Sequence, residues 1–402
     1  MVKTILQMYP ISGSEEQIST QAPWGLNPES YDGMLEDLTV VCQKADELGF
    51  WGITHTEHHF HSEGLEVSPN PGILNLYLGM QTKQINFGQL GYVLPTWDPI
   101  RLAEETAMID HMLKGRFFVG LARGYQRRWS NVLGQKFGVM GTYSDQSDID
   151  QHNREIFEEH FHILKKAWTE APITWDSEWY HIPFPPEGPD WPVADVTRRW
   201  GAPGEVDDEG RSVKISVVPR PYQQPHPPLF QAFSVSDRTI EWCAEQDITP
   251  TILSGPLSEV QRLAELYARV SKENGRNYEI GEHNALVRGI YILDDDSQVE
   301  DFYKKYDALI WENWFGYFGF YEAFRFAGEE GDVPKPGESV AQRMIDADYL
   351  IAGTVDQVKA RVREIQDRFN FEYWVLLHHQ GLMSTDVAAQ QMEGIAEALH
   401  TV

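Results

Sequence analysis

The stretch 85–124, INFGQLGYVLPTWDPIRLAEETAMIDHMLKGRFFVGLARG, carries one strand, one helix and a second strand in succession. Residues 85–94 form an apolar run interrupted by Gly88 and Gly91, and 117–122 form a second apolar run of strand length. Between them, 98–113 read as a helix. Asp98 is a suitable N-cap, Pro99 fits the first helical position, and Leu102, Ile109 and Leu113 recur at helical spacing. Two strands joined by a helix predict a parallel pair, because antiparallel neighbours need only a short turn.

The same rhythm extends in both directions. Further apolar runs lie at 4–8, 51–56, 229–233, 248–253, 286–293 and 373–377, which brings the total to eight. Eight strands alternating with helices predict an α/β fold closed as a (β/α)8 TIM-type barrel. A late helix is expected over 354–369. There Thr354 caps, Asp356 lies in the first turn, and Val355, Val358, Val362, Ile365 and Phe369 make an apolar stripe. Two segments break the rhythm. Residues 183–228 are rich in Pro, Gly and acidic side chains, and 311–340 are dense in aromatics. Both read as insertions into a single domain spanning 1–402.

Composition narrows the partners. Among 402 residues, 33 Lys and Arg face 61 Asp and Glu, a formal net charge of −28. Such a field repels phosphate backbones and anionic lipid surfaces, so neither nucleic acid nor membrane is an expected partner. Cys42 and Cys243 stand alone, without CxxC or Cys/His metal spacing, which suits a reducing, cytoplasmic compartment. The N-terminus lacks a signal-peptide pattern, and no run of 18 apolar residues occurs, so a soluble chain is expected.

In a parallel barrel, chemistry gathers where the strands end. The second run ends in GITHTEHHF (52–60), and His61 follows. On a strand, His55, Glu57 and His59 share one face and His58 the other, so these residues do not converge on one ion and no metal is expected. Ordinary hydrogen bonding accounts for His55, His59 and His61, whereas His58 is read as a proton donor or acceptor near neutral pH. Gly91 in the third run fits either close approach of a flat ring to the Leu90–Gly91 backbone or a bulge. In GRFFVGLARGYQRR, Arg123 at a strand end suits either a phosphate clamp or a salt bridge, and Arg128 reads as surface. The Ser-rich turn Ser234, Val235, Ser236 opens a helix and fits either an anion site or a plain N-cap. Neither GxxxxGK[ST] nor a strand-borne GxGxxG occurs, so a Walker or Rossmann nucleotide site is not expected.

These segments, in this order, resemble the bacterial luciferase-like family of flavin-dependent monooxygenases. The resemblance rests on EHHF (57–60), the block 91–124 and the late AGTVDQV (352–358), and it covers most of the chain. It implies a (β/α)8 barrel with inserts that binds FMN non-covalently at the C-terminal mouth, receives it reduced as FMNH2 from a separate flavin reductase, and pairs as a homodimer through helices after strands two and three. It further implies that FMNH2 and O2 form a C4a-peroxyflavin that oxygenates a small apolar organic substrate. By motif position, His58 would be catalytic. Leu90 and Gly91 would lie under the ring, Ala122, Arg123, Gly124 and Tyr125 would border the flavin, and Arg154 and the Ser234–Ser236 turn would join Arg123 on the phosphate.

Trp97, Trp314, Phe315 and His379 are candidate walls of a substrate pocket, against a background expectation of core packing for such aromatics. The chain departs from luciferase at two places. Ala122 stands where luciferase's catalytic subunit has a reactive cysteine, so light emission is not expected. Two extra residues precede the EWCAE helix, which shifts the amide donors of the Ser turn. Other readings within reach are an F420-dependent oxidoreductase on the same barrel, a non-catalytic flavin-binding homologue and a metal-dependent hydrolase; the last lacks a ligand set on later strands.

Overall fold

The computed structural model describes residues 2–400 except 12, 144 and 379. Contacts divide it into two compact units. The first comprises Met1–Tyr92, Phe118–Ala122 and Pro228–Val402, and the second Val93–Phe117 and Arg123–Pro227.

The first unit carries eight parallel strands: β1 (Lys3–Met8), β2 (Gly52–His55), β3 (Asn86–Gln89), β4 (Val119–Ala122), β5 (Leu229–Ser234), β6 (Thr249–Ile252), β7 (Ala285–Ile292) and β8 (Tyr373–His378). Each coincides with one of the eight apolar runs. Their order is β3-β2-β1-β8-β7-β6-β5-β4, and the Phe118 N–H donates to the Phe87 carbonyl at 3.0 Å, bridging the last strand to the first. The arrangement is a nearly closed (β/α)8 barrel. A short strand beyond these eight, Leu350–Gly353, pairs with β7 from Gly289 to Ile292. Sequence reading passed over it because four residues flanked by helices give too little periodicity.

Inward and outward faces follow from strand alternation. Trp51, Phe118, Phe230 and Tyr373 form a closed ring of side chains inside the barrel, with successive centroid separations of 5.4, 5.1, 5.1 and 5.0 Å. This aromatic plug explains a glycine. A Cβ on Gly88 would fall 2.3 Å from the Phe118 ring. Outside the strands, the helix Pro28–Leu48 is capped by Asn27 and buries Met34, Leu38, Val41, Cys42 and Ala45 as one stripe. The expected late helix is Val355–Phe369, where Thr354 and Gln357 make a full capping box. The 311–340 segment begins in the helix Ala308–Asn313 and continues through two 3-10 turns, with Trp311, Phe315 and Phe324 buried.

The second unit is mainly helical. Its helix Pro99–Met112 starts at Asp98, whose carboxylate accepts from the amides of Ile100 and Arg101 at 3.1 Å. The helix Asp148–Thr169 lies against it, and Trp168 Nε1 donates to the Ala103 carbonyl at 3.2 Å. Within 183–228, the bridges Asp190–Arg211 and Val206–Ser212 and the helix Ala194–Trp200 organise a stretch in which Ala194 and Val217 are buried. Among the described residues, no helix is long and apolar enough to cross a membrane.

Candidate active site

Strand β2 stops at His55, and the chain from Thr56 to Ser68 folds back on itself at the carboxyl end of the barrel. The His58 N–H donates to the Ser68 carbonyl at 3.2 Å, and the Ser68 hydroxyl donates to the Thr56 carbonyl at 2.6 Å. This closure buries His58 and Glu66 together. His58 Nδ1 lies 2.8 Å from Glu66 Oε2, with the Glu66 side chain wholly inaccessible. Trp314 Nε1 donates to the same oxygen at 2.8 Å, bringing a residue of the aromatic segment onto the His58 cluster. The His61 ring stacks obliquely on His58 at 5.2 Å and meets Trp314 edge-on at 4.9 Å. Burial works against ionisation of Glu66. The charge of His58, its hydrogen bond, His61 and Trp314 outweigh that penalty and hold the carboxyl below its usual range.

Glu66 is the residue that sequence reading missed. A lone carboxylate between Leu65 and Val67, in a stretch otherwise made of turn formers, was the available signal.

The other histidines of the cluster have structural partners. His59 Nε2 sits 3.0 Å from Glu57 Oε1, and His61 Nδ1 donates to the Leu65 carbonyl at 2.8 Å. His55 Nδ1 donates to Asn75 Oδ1 at 2.7 Å, while Asn75 Nδ2 donates to the Gly88 carbonyl at 2.6 Å, tying β2 and β3 to the helix Pro71–Gly79. Burial pushes His55 down to about 4, with the Asn75 bond opposing. A folded-state value below the unfolded one means that His55 stability is complete above about pH 6.5 and is lost as pH falls from there toward 4. Urea unfolding at pH 7.5 and 4.5 should differ by roughly 2–3 kcal/mol more in the wild type than in His55→Gln. Equal pH dependence in the two proteins would reject a neutral, buried His55.

Leu90 and Gly91 follow β3, joined by a cis peptide bond, with Leu90 buried. A Cβ on Gly91 would lie 2.7 Å from backbone atoms of Gly120 and Leu121. Close packing on strand β4 is therefore a sufficient reason for this glycine, beside the two that the sequence left open. Ala122 ends β4. At the end of β5, Ser234 is buried and Val235 half-exposed, and Ser236 is the N-cap of the helix Asp237–Gln246, its hydroxyl accepting from the Thr239 amide. Asp237 in that first turn is paired with Arg262 at 2.6 Å. Phe315 packs against Tyr9, Trp311 and Phe320 in the core.

In the second unit, Arg123 Nη1 donates to Asp150 Oδ1 at 2.7 Å, and the Thr142 hydroxyl shares that carboxylate at 3.1 Å. The ion-pair reading of Arg123 thus has its partner in Asp150. Gly124 takes a left-handed φ of 85°. The Tyr125 hydroxyl accepts from Gln126 Nε2 at 3.2 Å, and buried Arg154 lies 3.6 Å from Glu158. Trp97 closes a 3-10 turn after Leu94. His379 lies outside the described residues.

Residues 17–195 match the family of luciferase-like monooxygenases. The matched stretch is luciferase-like. The alkanal monooxygenase alpha chain of Photorhabdus luminescens is 30% identical over 255 residues, which cover 63% of this chain and 57% of that one. The chain thus aligns with less than two thirds of that relative. The oxygenating constituent of 3,6-diketocamphane monooxygenase from Pseudomonas putida, solved with FMN, superimposes with a TM-score of 0.69 at 18% identity, covering 90% of this chain and 91% of that one. An F420-dependent secondary alcohol dehydrogenase, solved with an F420-acetone adduct, gives 0.61 at 12% identity over 98% and 99% of the two chains. At these identities the superpositions establish the shared barrel.

Proposed function

We propose that the chain is a two-component, FMNH2-dependent monooxygenase that oxygenates a small apolar organic substrate. The observation that carries this reading is His58, a buried imidazole engaged where β2 ends by a buried carboxylate that an indole also holds. Fold alone does not choose a chemistry, so the residues must fit the cofactor. They do so within the barrel unit. Helix Asp237–Gln246 opens at the end of β5 after two serines, and a helix N-terminus at a strand end is a place where an anion can be held. Reduced FMN, when bound, would supply the electron pair that activates O2.

The chain's own part is narrower. His58 would hold or pass a proton, and the Ser234–Ser236 turn would hold phosphate, with Arg123 and Arg154 assigned to the same group by resemblance. Leu90, Gly91, Ala122, Gly124 and Tyr125 are assigned to the ring on the same ground. The apolar cluster of Tyr9, Leu65, Phe315 and Phe320 would keep water from the chemistry. We read residues 1–402 as one functional domain, the segments 183–228 and 311–340 as its specificity-bearing inserts, the reductant as coming from a separate flavin reductase, and the compartment as the cytoplasm. The experiment is an anaerobic titration with FMN, FMNH2 and F420, followed by admission of air. Tight FMNH2 binding with oxygen uptake supports the reading. Binding and reduction of F420 without oxygen uptake would replace it with hydride transfer, the second reading kept open by the F420-dependent neighbour.

The homodimer rests on a separate observation. On the helix Pro71–Gly79 and its cap, Ile73, Tyr77 and Met80 are exposed at a spacing of four and three, an apolar stripe facing outward. Sedimentation should give a dimer mass that Tyr77→Glu converts to monomer. A monomeric wild type would reject the pairing.

A further inference from the structure

The carboxylate beside His58 is used by no step described so far, yet the chain goes to some length to keep it there. Glu66 is fully buried, and its backbone adopts a left-handed φ of 53°, a region that side-chain-bearing residues seldom enter. Such strain persists only where the surroundings over-determine it. Three contacts do so. The Val67 amide donates to the Pro10 carbonyl at 2.7 Å, the Ser68 amide to the Glu66 carbonyl at 3.0 Å, and Trp314 Nε1 reaches the carboxylate across 248 positions of sequence.

We propose that Glu66 is the positioning residue for His58. It accepts the Nδ1 proton, fixes the ring's tautomer and plane, and so assigns proton exchange with bound ligand to Nε2. The inference rests on the functional reading given above, which it deepens. A carboxylate beside an imidazole does two things. It selects the Nδ1–H form of the neutral ring, and it stabilises the imidazolium when Nε2 takes a proton, so the ring can cycle without turning. Trp314 completes the device by holding the same oxygen, so that a residue of the 311–340 segment sets the carboxylate's orientation. The titratable groups that couple to Glu66 are His58 and His61.

A metal ion is the competing occupant, because donor atoms of His58, His61 and Glu66 lie within 4.8 Å of one another. The hydrogen bonds argue against it. Nδ1 and Oε2 face each other at 2.8 Å, and the indole N–H is directed at that same oxygen, so an ion held through Oε2 and Nδ1 would have to displace both.

The test uses the full chain labelled with 15N-histidine. In the wild type, NMR should show His58 protonated at Nδ1 in its neutral form. In Glu66→Gln, the neutral His58 ring should lose its preference for the Nδ1–H tautomer, because a carboxamide can either accept or donate at Nδ1. Glu66→Asp should restore that preference. In air, the FMNH2 complex of Glu66→Gln should release H2O2 faster than wild type, and Glu66→Gln/His58→Asn should be no worse than His58→Asn alone. An unchanged His58 tautomer in Glu66→Gln would overturn the proposal. So would stoichiometric Zn2+ displacing the Nδ1 proton in the wild type. Failure of the monooxygenase reading would show separately, as an absence of FMNH2 binding with the NMR result intact.

Discussion

His58→Asn is expected to bind FMNH2 as tightly as the wild type yet to release H2O2 in air about a hundredfold faster. Loss of a positioned acid–base group costs roughly 10²–10⁴ in rate, and an oxygenase that cannot manage its proton discards its oxygen as peroxide. Asparagine is the informative replacement. Its amide still donates to Glu66, whereas alanine would leave a fully buried carboxylate facing Trp314 alone. Such an uncompensated buried charge costs about 3–5 kcal/mol and would confuse a folding defect with a chemical one. The measurement is peroxide released per FMNH2 oxidised after air is admitted to the anaerobic complex. Wild-type release from a folded His58→Asn protein would remove His58 from the chemistry.

Phe118→Ala should be the most destabilising single truncation in the barrel unit, by about 3–5 kcal/mol. The ring is completely buried and touches Trp51 and Phe230, two of its three partners in the plug. It also fills the space that Gly88 leaves free, since a Cβ there would lie only 2.3 Å from the ring. Removing it opens a cavity bounded by two glycine-bearing strands, β2 at Gly52 and β3 at Gly88, whose backbones are pinned by the parallel ladder and cannot collapse inward. Urea unfolding followed by tryptophan fluorescence would report it through Trp51. A loss below about 1 kcal/mol would mean that the four rings pack independently rather than as one plug.

The two predictions draw on different levels of the molecule. His58 could be singled out from GITHTEHHF, because a histidine-rich strand end in a parallel barrel already limits what the residue can do. The plug could not. Trp51, Phe118, Phe230 and Tyr373 are separated by tens to more than a hundred positions, and nothing local marks them as one layer. Alternation along each strand places them inward, but only the register of neighbouring strands places them at one height.

The sequence by itself determined the eight strands, the two capped helices at 98–113 and 354–369, and the end of the barrel where chemistry collects. These are short-range properties: a run of apolar side chains, a cap three residues from the amide that donates to it, a stripe at helical spacing. Only the tertiary structure decided who stands beside whom. It paired His58 with Glu66 across a folded-back loop and brought Trp314 from the other half of the chain onto the same oxygen. It also set Arg123 beside Asp150 and gave Gly91 a neighbouring strand as one reason. The physical reason is that a hydrogen bond or a close approach depends on position to within a few tenths of an ångström. Sequence spacing conveys which face a residue occupies, and the closure of the barrel and the packing of its loops supply the remaining coordinates.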